Sequence, residues 1–228
     1  MGAGTAGAVN SGITVSFVLA GLFAVGNWTA KVRAGTRRSS SVLEYVCKPA
    51  TLVALIVAAG LLDPAADAHT RRVWFVAALV FSLAGDVLLM LPQDLFVPGL
   101  AAFLVGHLCY LGGFWADGPS PVALVIAAVV VVAFVAPLGW RMLGAISGSD
   151  EPKELRVAVA AYMAVISVML ATALASGNVV AGLGAVAFVA SDSMIAWDRF
   201  VRSWAWAPVA IMVTYHLGQA GLVASLLR

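Results

Sequence analysis

Residues 73–91 read VWFVAALVFSLAGDVLLML, an apolar run whose only ionisable side chain is Asp86. A helix that crosses a bilayer needs about 20 mainly apolar residues. A strand of an outer-membrane barrel would instead alternate apolar and polar positions over about ten. The run is continuous and does not alternate, so it reads as a membrane-spanning helix. Seven more runs of the same kind lie at 13–30, 42–62, 96–115, 121–140, 157–175, 179–197 and 204–226. Charged, Pro, Gly and Ser residues separate them, as at Leu91-Pro92-Gln93-Asp94 and Asp117-Gly118-Pro119. The expected fold is all-α: a polytopic bundle of eight transmembrane helices forming one membrane domain over residues 1–228.

Composition supports that reading. Of 228 residues, 62% are hydrophobic and 11% charged, and the mean hydropathy is +1.01. A soluble domain typically carries about 25% charged residues, so a water-soluble fold is excluded. The net charge of +2 gives no basis for binding nucleic acid. Cys47 and Cys109 both fall inside apolar runs and read as buried thiols rather than a disulfide framework. No basic segment precedes the first run, which therefore reads as a spanning helix and not a cleaved leader.

Orientation follows from the distribution of Lys and Arg. Nine of the 13 lie in the loops after runs one, three, five and seven, and three lie on the opposite side: Arg71, Arg72 and Arg228. Lys48 is inside the second run. The positive-inside rule then puts the odd loops in the cytoplasm and both termini outside, in a cell (inner) membrane.

A repeat is also visible. Ala84-Gly85-Asp86-Val87 in the third run matches Ala190-Ser191-Asp192-Ser193 in the seventh, and His107-Leu108 with Gly112 matches His216-Leu217 with Gly221. The two halves read as a parallel four-plus-four duplication. Chance is the competing explanation in so apolar a chain.

Ionisable groups at membrane depth cost roughly 2.5–3.5 kcal/mol each at a helix centre, so those present usually have a function. They are Glu44, Lys48, Asp86, His107, Asp192 and His216, with phenols at Tyr45, Tyr110, Tyr162 and Tyr215. The topology gathers Glu44, Lys48, Asp86, Asp192 and Tyr162 in the cytoplasmic leaflet, with His107 and His216 near the midplane. Simpler readings stand beside this one. Glu44 and Lys48, at i and i+4, can neutralise each other. Lys48 can snorkel to the headgroups, and Pro49 can be only a kink. The aspartates can be interhelical glue and the histidines packing residues. His69 reads as a solvated loop residue, and the tryptophans as an interfacial belt.

Two carboxyls withdrawn from water near one another do not both ionise easily, so one can act as acid while the other stays charged. That pairing suits chemistry at an acetal-like carbon. A metal set of His107, His216 and Asp86 is the weaker alternative, and no cofactor is called for. The stretch Ser82-Leu83-Ala84-Gly85-Asp86-Val87-Leu88-Leu89-Met90, with Phe103, Gly106-His107, Tyr110, Tyr162-Met163, Gly184-Ala185, Phe188 and Ser191-Asp192, resembles the YhhN family. Lys48-Pro49 fits the same pattern, and Tyr215-His216 fits it loosely.

That family includes lysoplasmalogenases, so the resemblance implies an ether hydrolase. The implied substrate is a lysophospholipid, lysoplasmalogen, cleaved at its vinyl ether to a fatty aldehyde and a glycerophospho-ethanolamine or -choline. On this reading Asp86 and Asp192 are the acid–base pair and His107 moves protons or positions water. Tyr110 and Tyr162 bond substrate oxygens, Lys48 holds phosphate, and Glu44, Tyr215 and His216 complete the binding site. A transporter or a non-enzymatic lipid-binding protein is the rival class.

Overall fold

The computed structural model describes residues 2–34, 42–62, 69–149 and 151–227. Eight α-helices fill them: α1 (Gly2–Ala34), α2 (Val42–Leu61), α3 (His69–Met90), α4 (Phe96–Ala116), α5 (Pro121–Ser147), α6 (Lys153–Ala175), α7 (Val179–Phe200) and α8 (Ala207–Ala224). A 3-10 turn, Ser225–Leu227, follows α8. No strand occurs among the described residues. All eight helices are long and apolar enough to cross a membrane, so the chain is a multi-pass membrane protein. Arg37, Arg38 and Arg228, which enter the orientation argument, lie outside the described residues.

The apolar runs locate every helix but underestimate several ends. α5 continues seven residues past Trp140 to Ser147 and passes through Pro137 without a break. α2 likewise runs unbroken through Pro49. A proline ring removes one ladder bond, and neighbouring groups in a membrane bundle can re-satisfy what it frees. Capping sets the other ends. Ser120 and Asn178 accept from Ala123 and Ala181 backbone N–H groups to start α5 and α7. α4 and α6 each end two residues before a glycine in the left-handed region, Gly118 at φ 66° and Gly177 at φ 72°, with Asp117 and Ser176 between as C-caps.

Consecutive helices pair as antiparallel hairpins: α1 with α2, α3 with α4, α5 with α6, α7 with α8. α2 packs on α3, α4 on α6, α6 on α7, and α8 closes against α1 and α2. α1 and α5 are peripheral, with 17% of each apolar span buried against 56% for α8. α7 and α8 cross with their backbones in contact. A Cβ on Gly184 would stand 2.8 Å from the Leu222 backbone nitrogen, and one on Gly218 would stand 2.8 Å from that of Phe188. Small residues let the two backbones touch, which draws Phe188 and Tyr215 to the bundle axis with their ring centroids 5.4 Å apart.

The bundle has an odd-loop end, which carries the α3–α4 and α7–α8 connections, and an even-loop end. The sequence places Arg71 in a loop at the even-loop end, but it is a buried clamp in the first turn of α3. Its guanidinium ion-pairs with Asp117 at 2.6 Å and donates to the Ser225 carbonyl at 2.9 Å, joining α3, the end of α4 and the end of α8.

Candidate active site

Asp192, two turns before the end of α7, anchors the first polar cluster. Tyr162 of α6 donates its hydroxyl to Asp192 Oδ2. His107 Nε2 of α4 lies 3.1 Å from the same oxygen and 2.9 Å from the Tyr162 hydroxyl. Oδ1 of Asp192 has no hydrogen-bond partner among the described residues, and the side chain is 10% exposed.

Asp86 of α3 anchors the second cluster. Its Oδ1 is 3.1 Å from Lys48 Nζ on α2, and its Oδ2 accepts from Tyr215 of α8 at 2.8 Å. The pair is nearly sealed, with side-chain exposures of 7% for Lys48 and 2% for Asp86. Behind Tyr215 stands Gln219, which donates to the Tyr215 hydroxyl at 3.4 Å and accepts from Tyr110. The Phe188 ring separates the clusters, with its centroid 4.7 Å from His107 and 5.4 Å from Tyr215.

Seven of the nine candidates thus fall into these two networks: Asp192, His107 and Tyr162 in one, and Asp86, Lys48, Tyr215 and Tyr110 in the other. Glu44 belongs to neither. It ion-pairs with Lys31 at the end of α1, which overturns the simpler reading in which it neutralises Lys48. Lys48 turns inward because Asp86 is a buried carboxylate, and a buried charge is costly unless paired. Neither cavity described below is lined by Lys48. His216 accepts from Trp28 Nε1 at 3.0 Å and bonds to neither aspartate. Trp28 is therefore more than a belt residue, whereas Trp115 and Trp140 are exposed as a belt requires. His69 is the first residue of α3, exposed, with Arg72 at 3.3 Å. The set His107, His216 and Asp86 is not assembled, and no group of three or more His, Cys, Asp or Glu among the described residues is placed to hold a metal ion.

Two neighbouring cavities share part of their walls, and the first reaches the Asp192 cluster. The first has about 650 Å³ of empty space, including its open mouth, and lies among residues of α3 to α7. Its walls are apolar, among them Leu100, Phe103, Val135 and Ile166, except for Asp192, Tyr162 and Ser193. The second, about 850 Å³ on the same basis, lies at the odd-loop end. It is lined by Lys31, Asp94, Asp198 and Arg199 together with apolar residues. Leu89, Phe96 and Ile195 line both. Gln219 and Arg199 had not been singled out from the sequence. The one signal for Gln219 in the sequence is an amide at membrane depth, three residues after His216.

A carboxylate, an imidazole and a phenol on three membrane helices, beside a largely apolar cavity, define a polar site inside a multi-pass membrane protein. The YhhN family model matches residues 43–226, and the chain belongs to that family. It is 38% identical over 151 residues to a human protein named Lysoplasmalogenase TMEM86B, covering 66% of this chain and 62% of that one. It is 35% identical over 176 residues to Lysoplasmalogenase from Mycobacterium bovis, covering 68% and 65%. A human protein named Lysoplasmalogenase TMEM86A is 31% identical over 164 residues, covering 67% and 64%. The chain thus spans a little under two thirds of the length of these relatives. No solved structure matches it significantly.

Proposed function

We propose that the protein hydrolyses the vinyl ether bond of a lysoplasmalogen, with Asp192 as the acid–base group. The observation that carries this reading is the unpartnered Oδ1 of Asp192 on the wall of a largely apolar cavity. The alkenyl chain occupies that cavity and the vinyl ether meets Asp192. Asp192 gives its proton to the β-carbon, and the electron pair of the double bond forms the new C–H bond. The oxocarbenium ion left at the carbon bearing oxygen is stabilised by the carboxylate beside it. The same carboxylate, with His107, takes a proton from water as the water oxygen adds to that carbon. The hemiacetal then loses its bond to the glycerol oxygen, which leaves with a proton, and the aldehyde is released. Tyr162 fixes the Asp192 carboxylate through Oδ2.

In this account Asp86 does not share the acid–base role with Asp192. Lys48 neutralises it away from both cavities, and it positions the α8 residues Tyr215 and Gln219 that pack under Phe188. The odd-loop end is taken as cytoplasmic, from the surplus of Lys and Arg there. The four-plus-four duplication also has support. Each aspartate is held by the second helix of its own half, Lys48 or Tyr162, and by the last helix of the other half, Tyr215 or His107. Tyr110 and Gln219, each three residues after the histidine of its segment, bond to one another, as equivalent positions on a two-fold axis would.

The test is turnover of an alkenyl-lysophosphoethanolamine by purified protein in D2O enriched in 18O, with the aldehyde reduced as it forms. One deuterium on the carbon next to the former aldehyde carbon, and 18O in the resulting alcohol but not in the glycerol product, are expected. Aldehyde lacking that deuterium, or no aldehyde at all, contradicts the proposal.

A further inference from the structure

The second cavity holds charges of both signs that the proposed reaction does not use. Arg199, near the end of α7, spreads its guanidinium 4.1 Å above the Phe96 ring and meets both oxygens of Asp94 at 3.1 and 3.3 Å. Lys31 and Asp198 line the same space. Asp94 is 72% exposed along its side chain. An ion pair this open to solvent is held weakly and exchanges readily. Arg199 stands seven residues after Asp192, hence on nearly the same face of α7 and about 10 Å along its axis. Ile195, between them, lines both cavities. In a glycerophospholipid the vinyl carbon bearing oxygen is six bonds from phosphorus, roughly 7 Å when extended. A ligand reacting at Asp192 with its chain in the first cavity therefore carries its phosphate to Arg199.

We propose that the second cavity is the subsite for a zwitterionic lysophospholipid headgroup, which parts the Arg199–Asp94 pair and takes its phosphate on Arg199 and its ammonium on Asp94. The inference rests on the lipid-hydrolase reading above. The charge signs select among headgroups. Arg199 presents a planar fork suited to phosphate oxygens, and Lys31 is a second cation, here paired with Glu44. Asp94 and Asp198 would repel a head that is only anionic, so discrimination comes from repulsion as well as attraction. A phosphoethanolamine or phosphocholine replaces one internal ion pair by two across the interface and leaves the cavity neutral.

The experiment measures equilibrium binding to protein in nanodiscs, using saturated ethers that have no vinyl bond to cleave. The three ligands are 1-O-alkyl-glycerophosphoethanolamine, 1-O-alkyl-glycerophosphate and 1-O-alkyl-glycerol. The wild type is expected to bind the zwitterion tightest. Arg199→Gln is expected to weaken both phosphate-bearing lipids about tenfold, the scale of one lost charge-assisted hydrogen bond, and to leave alkylglycerol unchanged. Asp94→Asn, on a backbone at φ 48° that Asn tolerates, is expected to remove the preference for the zwitterion over the anion. It does so while leaving Arg199 in place, so the proposal stays testable if Arg199→Gln folds poorly. Wild-type ratios in either variant overturn the subsite. Binding of free glycerophosphoethanolamine as tight as that of the lipid also overturns it, since the site would then serve a soluble phosphoester. Because the ligands are inert, failure of vinyl ether hydrolysis is read separately and leaves this result standing.

Discussion

Breaking the Lys48–Asp86 pair from one side should destabilise the bundle severely, and removing both charges should restore most of the loss. The nitrogen–oxygen distance is 3.1 Å and both side chains are nearly sealed. At an effective dielectric constant of about 20, two unit charges at that distance attract by roughly 5 kcal/mol. Removal of one partner from a buried pair typically costs about 3–5 kcal/mol, because the other charge stays buried and unpaired. Lys48→Met leaves Asp86 with only the Tyr215 hydroxyl, and Asp86→Asn leaves Lys48 with no counter-ion in contact. In Lys48→Met/Asp86→Asn no charge is stranded, and the Asn oxygen still accepts from Tyr215. At about 2–4 °C per kcal/mol for a chain of this size, each single variant should melt roughly 6–20 °C below wild type, with the double variant recovering at least half of the loss. The assay is thermal unfolding in detergent, followed by maleimide labelling of the buried thiols of Cys47 and Cys109. Additive single losses in the double variant, or a Lys48→Met protein as stable as wild type, would refute a buried and mutually dependent pair.

Other consequences can be measured on the same preparations. Gly218→Ala should lower stability by about 1–3 kcal/mol in thermal melts, since its Cβ meets the Phe188 backbone at 2.8 Å; Gly60→Ala, with nothing within 4 Å, should leave it unchanged or slightly raised. Tyr162→Phe should lower the turnover of aldehyde release about tenfold, with little change in the binding of saturated ether lipids, because it frees the Asp192 carboxylate to rotate. Arg71→Met should destabilise the protein by about 1–3 kcal/mol in the same melts without a specific effect on turnover, since far from the site it removes the partner of half-buried Asp117 and leaves the Ser225 carbonyl only its bond from Asn178.

The fold was legible because hydropathy in a membrane chain reports directly on position: every spanning helix follows an apolar run. The site was legible by exception, since a charge at membrane depth is rare enough to be noticed one residue at a time. What the sequence did not contain was pairing between helices. Glu44 and Lys48 stand one turn apart and look like partners, yet each finds its counter-ion on a different neighbouring helix. The matching Asp86 and Asp192 motifs suggested equal roles. Only the arrangement of α2, α6 and the first cavity separates a neutralised carboxylate from one with a free oxygen on a largely apolar space. Arg199 looked like a loop charge because α7 extends past the apolar run, to Phe200, and carries it onto the cavity wall. Trp28 looked like a belt residue because its bond to His216 spans 188 positions of sequence.

The central claim is that Asp192 is the group that protonates the vinyl ether, and Asp192→Asn tests it most directly. The substitution keeps the shape of the side chain and its acceptor for Tyr162 while removing the transferable proton. Turnover of alkenyl-lysophosphoethanolamine should fall by about 10²–10⁴, the usual contribution of a positioned general acid–base group. Melting temperature and binding of the saturated ether should stay at wild-type values. An Asp192→Asn protein that releases aldehyde within about threefold of the wild-type rate, far inside that range, would contradict the account.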